Sequence, residues 1–298
     1  MMARSARGLI RRTGLEALAC RLAERIRRAT LLAEDFVPYS VHRFERHTWV
    51  IKETQFGVRI WCSLDERAIS RPILLDNYEL AETRFLANTV RAGELAVDAG
   101  ANIGYHALHL ARLVGDAGFV EAFEPLPYLA DALRTSVDEN GFLSQMAVHR
   151  IALDERAGTL RVRHAPRTAN FGGAHFAPES PLPPAHADEF VSTKRLDDVI
   201  AGRRCRFLKM DVEGAEPRVI RGAHATLAAG RPVILSELHD QQLRTVSGSS
   251  ADDFIAQMSA LAYRCSRLNA DGTRGHALDR YADKAPLNVV FDDIARRI

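Results

Sequence analysis

No apolar run in the 298 residues approaches the ~20 needed to span a bilayer, so no transmembrane helix is expected. The first residues have no continuous apolar core ahead of a cleavage site, and the expectation is a chain without a secretory signal. Cysteine is scarce. The four, Cys20, Cys62, Cys205 and Cys265, stand far apart with no Cys-x-x-Cys and no zinc-ligand spacing. Free thiols in a reducing compartment follow, and the expected location is the cytoplasm. Excess charge is scarce too: a net +2 excludes a polycation built for nucleic acid, and no nucleic-acid partner is expected. No internal repeat is present.

What charge excess there is sits at one end. Residues 1–30 hold eight arginines (Arg4, Arg7, Arg11, Arg12, Arg21, Arg25, Arg27, Arg28) against Glu16 and Glu24. Leu15, Leu18, Leu22 and Ile26 fall at helical spacing, so residues 9–32 are expected as a basic amphipathic helix within an extension over 1–35. A helix packed on a neighbouring domain or a second copy of the chain is preferred to one lying on anionic lipid or an acidic protein. A mitochondrial presequence stays open. Residues 36–75 change texture: HTWVIKE, VRIWCSL and ISRPILL are rich in β-branched and aromatic residues, which predicts a small β unit.

From residue 76 onward strands and helices alternate. A helix over about Leu80 to Arg91 closes at Gly93, and the stretch from Gly93 to Pro125 organises the rest. It reads as strand (Leu95–Val97), glycine-rich turn (Gly100–Gly104), helix (Tyr105–Leu113) and strand (Phe119–Phe123), the half-site of a nucleotide-binding sheet. Further along, PLPYLADALRTSVDENG predicts a helix, AVHRIAL a strand reaching Asp154, and TLRVRHA another strand. Residues 165–190, with five prolines and Gly172-Gly173, are expected as a long loop, either a lid, a binding loop or a disordered stretch. Then come a strand at Phe207–Met210, a helix from Glu216 to Ala229, a strand over Pro232–His239, a helix at Asp252–Ala262, and strands at Tyr263–Leu268 and Leu287–Phe291. The expected fold is α/β: a doubly wound, mostly parallel seven-stranded sheet with one antiparallel edge strand, spanning residues 76–298.

Ligands of such sheets bind at the carboxyl ends of the strands. The turn lacks the Gly-x-Gly-x-x-Gly of dinucleotide sites, and no Gly-x-x-x-x-Gly-Lys-Ser/Thr is present for a nucleoside triphosphate. Glu124 ends the second strand, where a carboxylate can accept from both hydroxyls of a ribose. Asp98 ends the first, which suits a cationic ligand without phosphates, such as S-adenosylmethionine. Past the later strands stand Asp211 and Glu213, and Glu237 and His239, each pair on one side of an extended segment. If a hydroxyl is methylated these are the candidates to take its proton, with His239 best matched in unperturbed pKa. Asp211 and Glu213 equally suit orienting substrate, capping the next helix, or holding a divalent cation with His239, the last disfavoured. Glu237 is assigned to the substrate. Lys209 is expected to pair with an acid, and His106 and His109 to be core or cofactor-flanking residues.

The order of these motifs resembles the FkbM-type S-adenosylmethionine-dependent methyltransferases, a branch of the class I Rossmann-like enzymes. Glu82-Thr83, VDAGANIGYHALHLA, AFEPLP, Asn140-Gly141, Ala152-Leu153-Asp154, Gly172-Gly173, RLDDVI, FLKMDVEGAEPRVIRGA and PVILSELH carry the resemblance over most of 76–240. It implies that Asp98, Gly100, Asn102 and Gly104 hold the methionine end of the cofactor, that Glu124 binds the ribose, and that Asp154 lies near the adenine. It also implies a substrate-contacting region at Asn170, Gly172 and Gly173. The expected activity is S-adenosylmethionine-dependent O-methylation of a glycan, lipid or secondary metabolite. Two rivals stay open: a catalytically silent binding module that recruits a partner through the N-terminal helix, and a nicotinamide-dependent oxidoreductase.

Overall fold

The computed structural model describes residues 42–44, 47–164, 173, 175–176, 187–283 and 285–295. The expected N-terminal helix lies outside them, as do Asn170 and Gly172. Three strands, β1 (His42–Phe44), β2 (His47–Glu53) and β3 (Arg59–Ser63), pair antiparallel in one small sheet. Helices α1 (Ser70–Leu74) and α2 (Leu80–Thr89) precede β4 (Leu95–Ala99). Helix α3 (Tyr105–Val114) links β4 to β5 (Phe119–Phe123), and α4 (Pro127–Glu139) links β5 to β6 (Met146–His149). Strands β7 (Ala152–Leu153), β8 (Gly158–His164), β9 (His175–Phe176) and β10 (Ala187–Lys194) form a second small sheet in the order β7-β10-β8-β9. Then follow α5 (Leu196–Ile200), β11 (Cys205–Met210), α6 (Glu216–Arg221), α7 (His224–Gly230), β12 (Val233–Leu238), α8 (Asp240–Ser247) and α9 (Ala251–Ala260). The last strands are β13 (Tyr263–Leu268), β14 (Arg274–Ala277) and β15 (Leu287–Asp293).

The main sheet runs β14-β13-β15-β12-β11-β4-β5-β6, and β4, β5, β6, β11 and β12 pair in parallel. Numbering these five by sequence gives the 3-2-1-4-5 order of a doubly wound Rossmann-like sheet, with its switch point between β4 and β11. Successive side chains of a strand point to opposite faces, and here both faces are buried. Ala96, Phe207, Val233, Leu235 and Val290 join one apolar cluster, while Val97, Leu208, Ile234, Val289 and Phe291 join the other. The first cluster also takes in Trp49, Ile60 and Trp61 of the small antiparallel sheet. That sheet is tied to α4 by polar bonds: Trp61 N–H donates to Ser136 Oγ at 3.0 Å and Arg59 N–H to Asn140 Oδ1 at 2.8 Å.

The fold class agrees with the expectation, and several details of it are corrected. The sheet has eight strands among the described residues, and two run against the parallel set: β14 at the edge, and β15 between β12 and β13. Five of the seven β15 residues are buried, which an edge position would not give. AVHRIAL is not one strand: β6 ends on β5, and β7 changes partners to pair in parallel with β10. The helix expected from Glu216 to Ala229 breaks at Gly222, where an added Cβ would lie 2.2 Å from the Asp154 carbonyl oxygen. The segment expected as a loop over 165–190 contains β9 and the start of β10. No helix among the described residues is long and apolar enough to cross a membrane.

Candidate active site

A cavity of about 240 Å³ opens past the carboxyl ends of β4, β5, β11 and β12. Of the residues singled out from the sequence, Asp98, Gly100, Asn102, Glu124, Asp211, Glu213 and Glu237 line it. The turn after β4 is built for close approach. Gly100 stands at φ +82°, and an added Cβ would lie 1.9 Å from the Asp211 carbonyl oxygen. The neighbouring strand end is laced to it by the Asp211 N–H, which donates to the Ala99 carbonyl at 3.0 Å. Gly104, at φ +99°, begins α3 against Leu133, 2.2 Å from where a Cβ would stand. It supports the cavity from behind and does not line it.

Between these glycines Asn102 adopts the left-handed region, φ 51°. Its N–H donates to Glu124 Oε2 at 3.0 Å, and the Leu126 N–H donates to Glu124 Oε1 at 2.8 Å. Burial pushes the Glu124 carboxyl up to about 7, against the pull of those two bonds. Asp98 is 1% exposed, and neither of its oxygens has a hydrogen-bond partner. Its nearest cation is Lys209, with Nζ 3.8 Å from Asp98 Oδ1 and 3.5 Å from Asp211 Oδ2. Burial raises Asp98, and Lys209 draws it back. Burial works against the Lys209 ammonium, but Asp211 and Asp98 outweigh it and keep the group charged.

Acids crowd the far wall. Burial, and then the charges of Asp211 and Glu237, push Glu213 up to about 9. Glu237 is pushed up to about 7 by burial and by Asp211. The cap weighed for Asp211 or Glu213 is absent: α6 has no side-chain cap, and buried Glu216 at its start ties the preceding turn, its Oε1 accepting from the Val212 N–H at 3.1 Å and the Gly214 N–H at 3.5 Å. Glu213 instead accepts from Gln242 Nε2, with its backbone left-handed at φ 53°. Among the described residues no three His, Cys, Asp or Glu side chains are placed to hold one metal ion.

Three expected site residues stand elsewhere. His239 does not line the cavity: β12 ends at Leu238, and His239, still extended at φ −121° and ψ 93°, is the N-cap residue of α8. Asp154 does not line it either. Arg218 clamps its carboxylate, Nε to Oδ1 at 2.7 Å and Nη2 to Oδ2 at 2.6 Å, while Ile151, Ala152 and Leu153 form the wall. Gly173 is exposed in a turn outside the cavity. Conversely, Tyr78, Glu79 and Lys209 line the cavity without having been assigned to the site, and His106, expected as a core or cofactor-flanking residue, lines it too. For Lys209 the expected pairing with an acid holds. Glu79 stands just before α2 and gives it no side-chain cap; its Oε2 lies 2.5 Å from His106 Nε2, a pairing that nothing in the local sequence marks.

The chain matches the model of the methyltransferase FkbM domain over residues 98–265. It is 32% identical over 155 residues to methyltransferase sdnD of Sordaria araneosa, across 42% of this chain and 59% of that protein. It is 29% identical over 225 residues to the 31-O-demethyl-FK506 methyltransferase FkbM of Streptomyces tacrolimicus, across 66% of this chain and 77% of that protein. The chain thus spans less than two thirds of the length of the first of these relatives. Among solved structures, methyltransferase FkbM from Methylobacillus flagellatus KT is similar at a TM-score of 0.43 and 17% identity, across 70% of this chain and 50% of that one.

Proposed function

This chain belongs to the methyltransferase FkbM domain family, and we propose on that premise that it methylates a hydroxyl group with S-adenosylmethionine as donor. The acceptor class is a glycan, lipid or secondary metabolite. The observation that carries the proposal is Asp98: a buried carboxylate on a cavity wall, with neither oxygen hydrogen-bonded and its one neighbouring ammonium, Lys209 at 3.8 Å, shared with Asp211, suits a further cationic group. The donor has two, an ammonium and a sulfonium. The Gly100–Gly104 turn lets its methionine end approach backbone, because no side chain stands at Gly100. Each carboxylate oxygen has two acceptor directions, so Glu124 can serve ribose hydroxyls while keeping its bonds from Asn102 and Leu126. Ile151, Leu153 and Val162 offer apolar contact to the adenine.

When bound, the donor supplies an electrophilic methyl on positively charged sulfur. The chain's own work is to align the acceptor oxygen with that methyl and to keep water away. Asp211, Glu213 and Glu237 offer hydrogen bonds to acceptor hydroxyls, and Gly173, Asn170 and Gly172 are proposed as further acceptor contacts. Oxygen is favoured over other atoms because the name of the Streptomyces relative describes methylation at an oxygen.

Calorimetry with S-adenosylmethionine and S-adenosylhomocysteine tests the donor. Binding of both, weakened in Asp98→Asn, is expected; absence of heat with either compound sinks the proposal. Mass spectrometry of candidate acceptors after incubation with methyl-labelled donor tests the acceptor atom. Label on nitrogen or carbon would replace the hydroxyl.

A further inference from the structure

Six carboxylates line the cavity, and five of them are already engaged or sealed off. Glu124 accepts from two backbone N–H groups, Glu79 Oε2 lies 2.5 Å from His106 Nε2, and Glu213 accepts from Gln242. Asp211 Oδ2 stands 3.5 Å from Lys209 Nζ, and the Asp98 oxygens are closed in beside that same ammonium. Glu237 is the sixth. Its carboxylate has no hydrogen-bond or ion-pair partner among the described residues, and its oxygens, unlike those of Asp98, reach open space. Its cross-strand neighbour on β15, Asn288, donates to Glu82 instead. A half-buried carboxylate left without a donor on a cavity wall takes its hydrogen bond from whatever enters the cavity.

The register of the sheet places Glu237 within the site. Lys209 pairs with Asp98 on one side and with Leu235 on the other, so all three share one face. Two residues further along, Asp211 and Glu237 share that face too, on strands about 4.8 Å apart. Along the strand ends the order is Glu124 past β5, the glycine turn after β4, Asp211 after β11, and Glu237 on β12. With ribose at Glu124 and the methionine end at the turn, the ends of β11 and β12 are left for the acceptor. Rival bases on the wall are disqualified. Lys209 keeps its ammonium proton, His106 Nδ1 is sealed from the cavity, and Glu213, pushed up to about 9, holds its proton at neutral pH. Glu237 is pushed up only to about 7, by burial and then by Asp211. The charged or titratable groups that face it are Asp211, Glu213, Glu216, Lys209, Glu79 and Tyr281.

We infer that Glu237 is the base that takes the proton of the acceptor hydroxyl. The inference rests on the hydroxyl methylation proposed above. As the acceptor oxygen gains the methyl, its O–H bond breaks and the proton passes to a Glu237 carboxylate oxygen. The electron pair of the broken carbon–sulfur bond stays with sulfur. A positive and a negative charge disappear together, which suits a half-buried site. The neutral carboxyl then returns its proton to solvent.

Carbon-13 NMR of the full chain labelled at glutamate, without any ligand, follows the Glu237 carboxyl, its signal identified by loss in Glu237→Gln. A titration midpoint near 7 is expected, and one near the ordinary 4.5 overturns the inference. Calorimetry on Glu237→Gln separates base from donor site: affinity for S-adenosylhomocysteine should stay within about threefold of wild type. A large loss would assign Glu237 to the donor and overturn the inference. Failure of the wild-type chain to bind that compound refutes the donor proposal, whereas the titration bears on Glu237 alone. With any acceptor that wild type labels, kcat at saturating donor should rise with pH up to about 7 and then level, since the base works only when deprotonated. Glu237→Gln should lower kcat roughly a hundredfold or more and abolish that rise, and Glu237→Asp, which keeps a carboxylate, should retain it. A glutamine variant that raises acceptor KM but keeps kcat and its pH rise would make Glu237 a binding contact only, and overturn the inference.

Discussion

At Gly100 a single methyl group would collide with the neighbouring strand, since its Cβ would lie 1.9 Å from the Asp211 carbonyl oxygen. Gly100→Ala must therefore separate β11 from β4 or rebuild a turn that stands at φ +82°. A loss of about 2–4 kcal/mol is expected in chemical denaturation; a loss under about 0.5 would show that the turn gives way freely. Glu124→Gln keeps the shape and removes the charge, so affinity for S-adenosylhomocysteine should fall by roughly tenfold or more. Because the Glu124 carboxyl titrates near 7, wild-type affinity should weaken as pH drops below about 7, and the glutamine variant should lack that inflection in calorimetry. Gly100, Asp98 and Glu124 were legible in the sequence because strand, turn and helix lie within one short stretch. Glu79 was not. Its partner is 27 positions away, and its left-handed backbone leaves no trace in residue type.

Elements were legible in kind and less so in extent. Apolar runs buried on both faces identified β4, β5, β11 and β12, but periodicity does not say which strand pairs with which. The placing of β15 inside the sheet is a tertiary outcome, as is the split between β6 and β7. The break between α6 and α7 has a cause that sequence distance hides: Gly222 lies against the Asp154 carbonyl. Four residues earlier on that helix face, Arg218 holds the Asp154 carboxylate, so one short helix pins the strand end that forms a wall of the cavity. The clamp is largely buried, with side-chain exposures of 22% and 6%. Arg218→Ala should cost about 1–3 kcal/mol in denaturant unfolding, discounted from a fully buried pair for the exposure of the guanidinium. A cost near zero would mean that Asp154 finds water or another partner at no expense.

Across the whole molecule, buried acids in and beside the cavity couple stability to pH. Glu124, Glu216 and Glu237 are pushed up to about 7, and Glu213 to about 9, from an ordinary 4.5. Between the ordinary value and these, the folded chain binds protons that the unfolded chain has released, so stability must fall as pH rises through that window. Carboxyls held low, such as Glu79 and Glu121, lose their contribution only below about 4.5 and do not oppose the trend. Thermal unfolding without ligand should therefore show a midpoint that declines from pH 5 to pH 9, and Glu237→Gln should flatten part of the decline. A rising midpoint would contradict the crowding of acids around the cavity. The place of β15 also matters before the molecule is finished. During translation β12 is made long before Leu287–Asp293, and its outer edge has no neighbour until β15 emerges from the ribosome. A message stopped short of Leu287 would encode every residue that lines the cavity, Glu237 included, yet yield a nascent sheet open along the strand that carries Glu237.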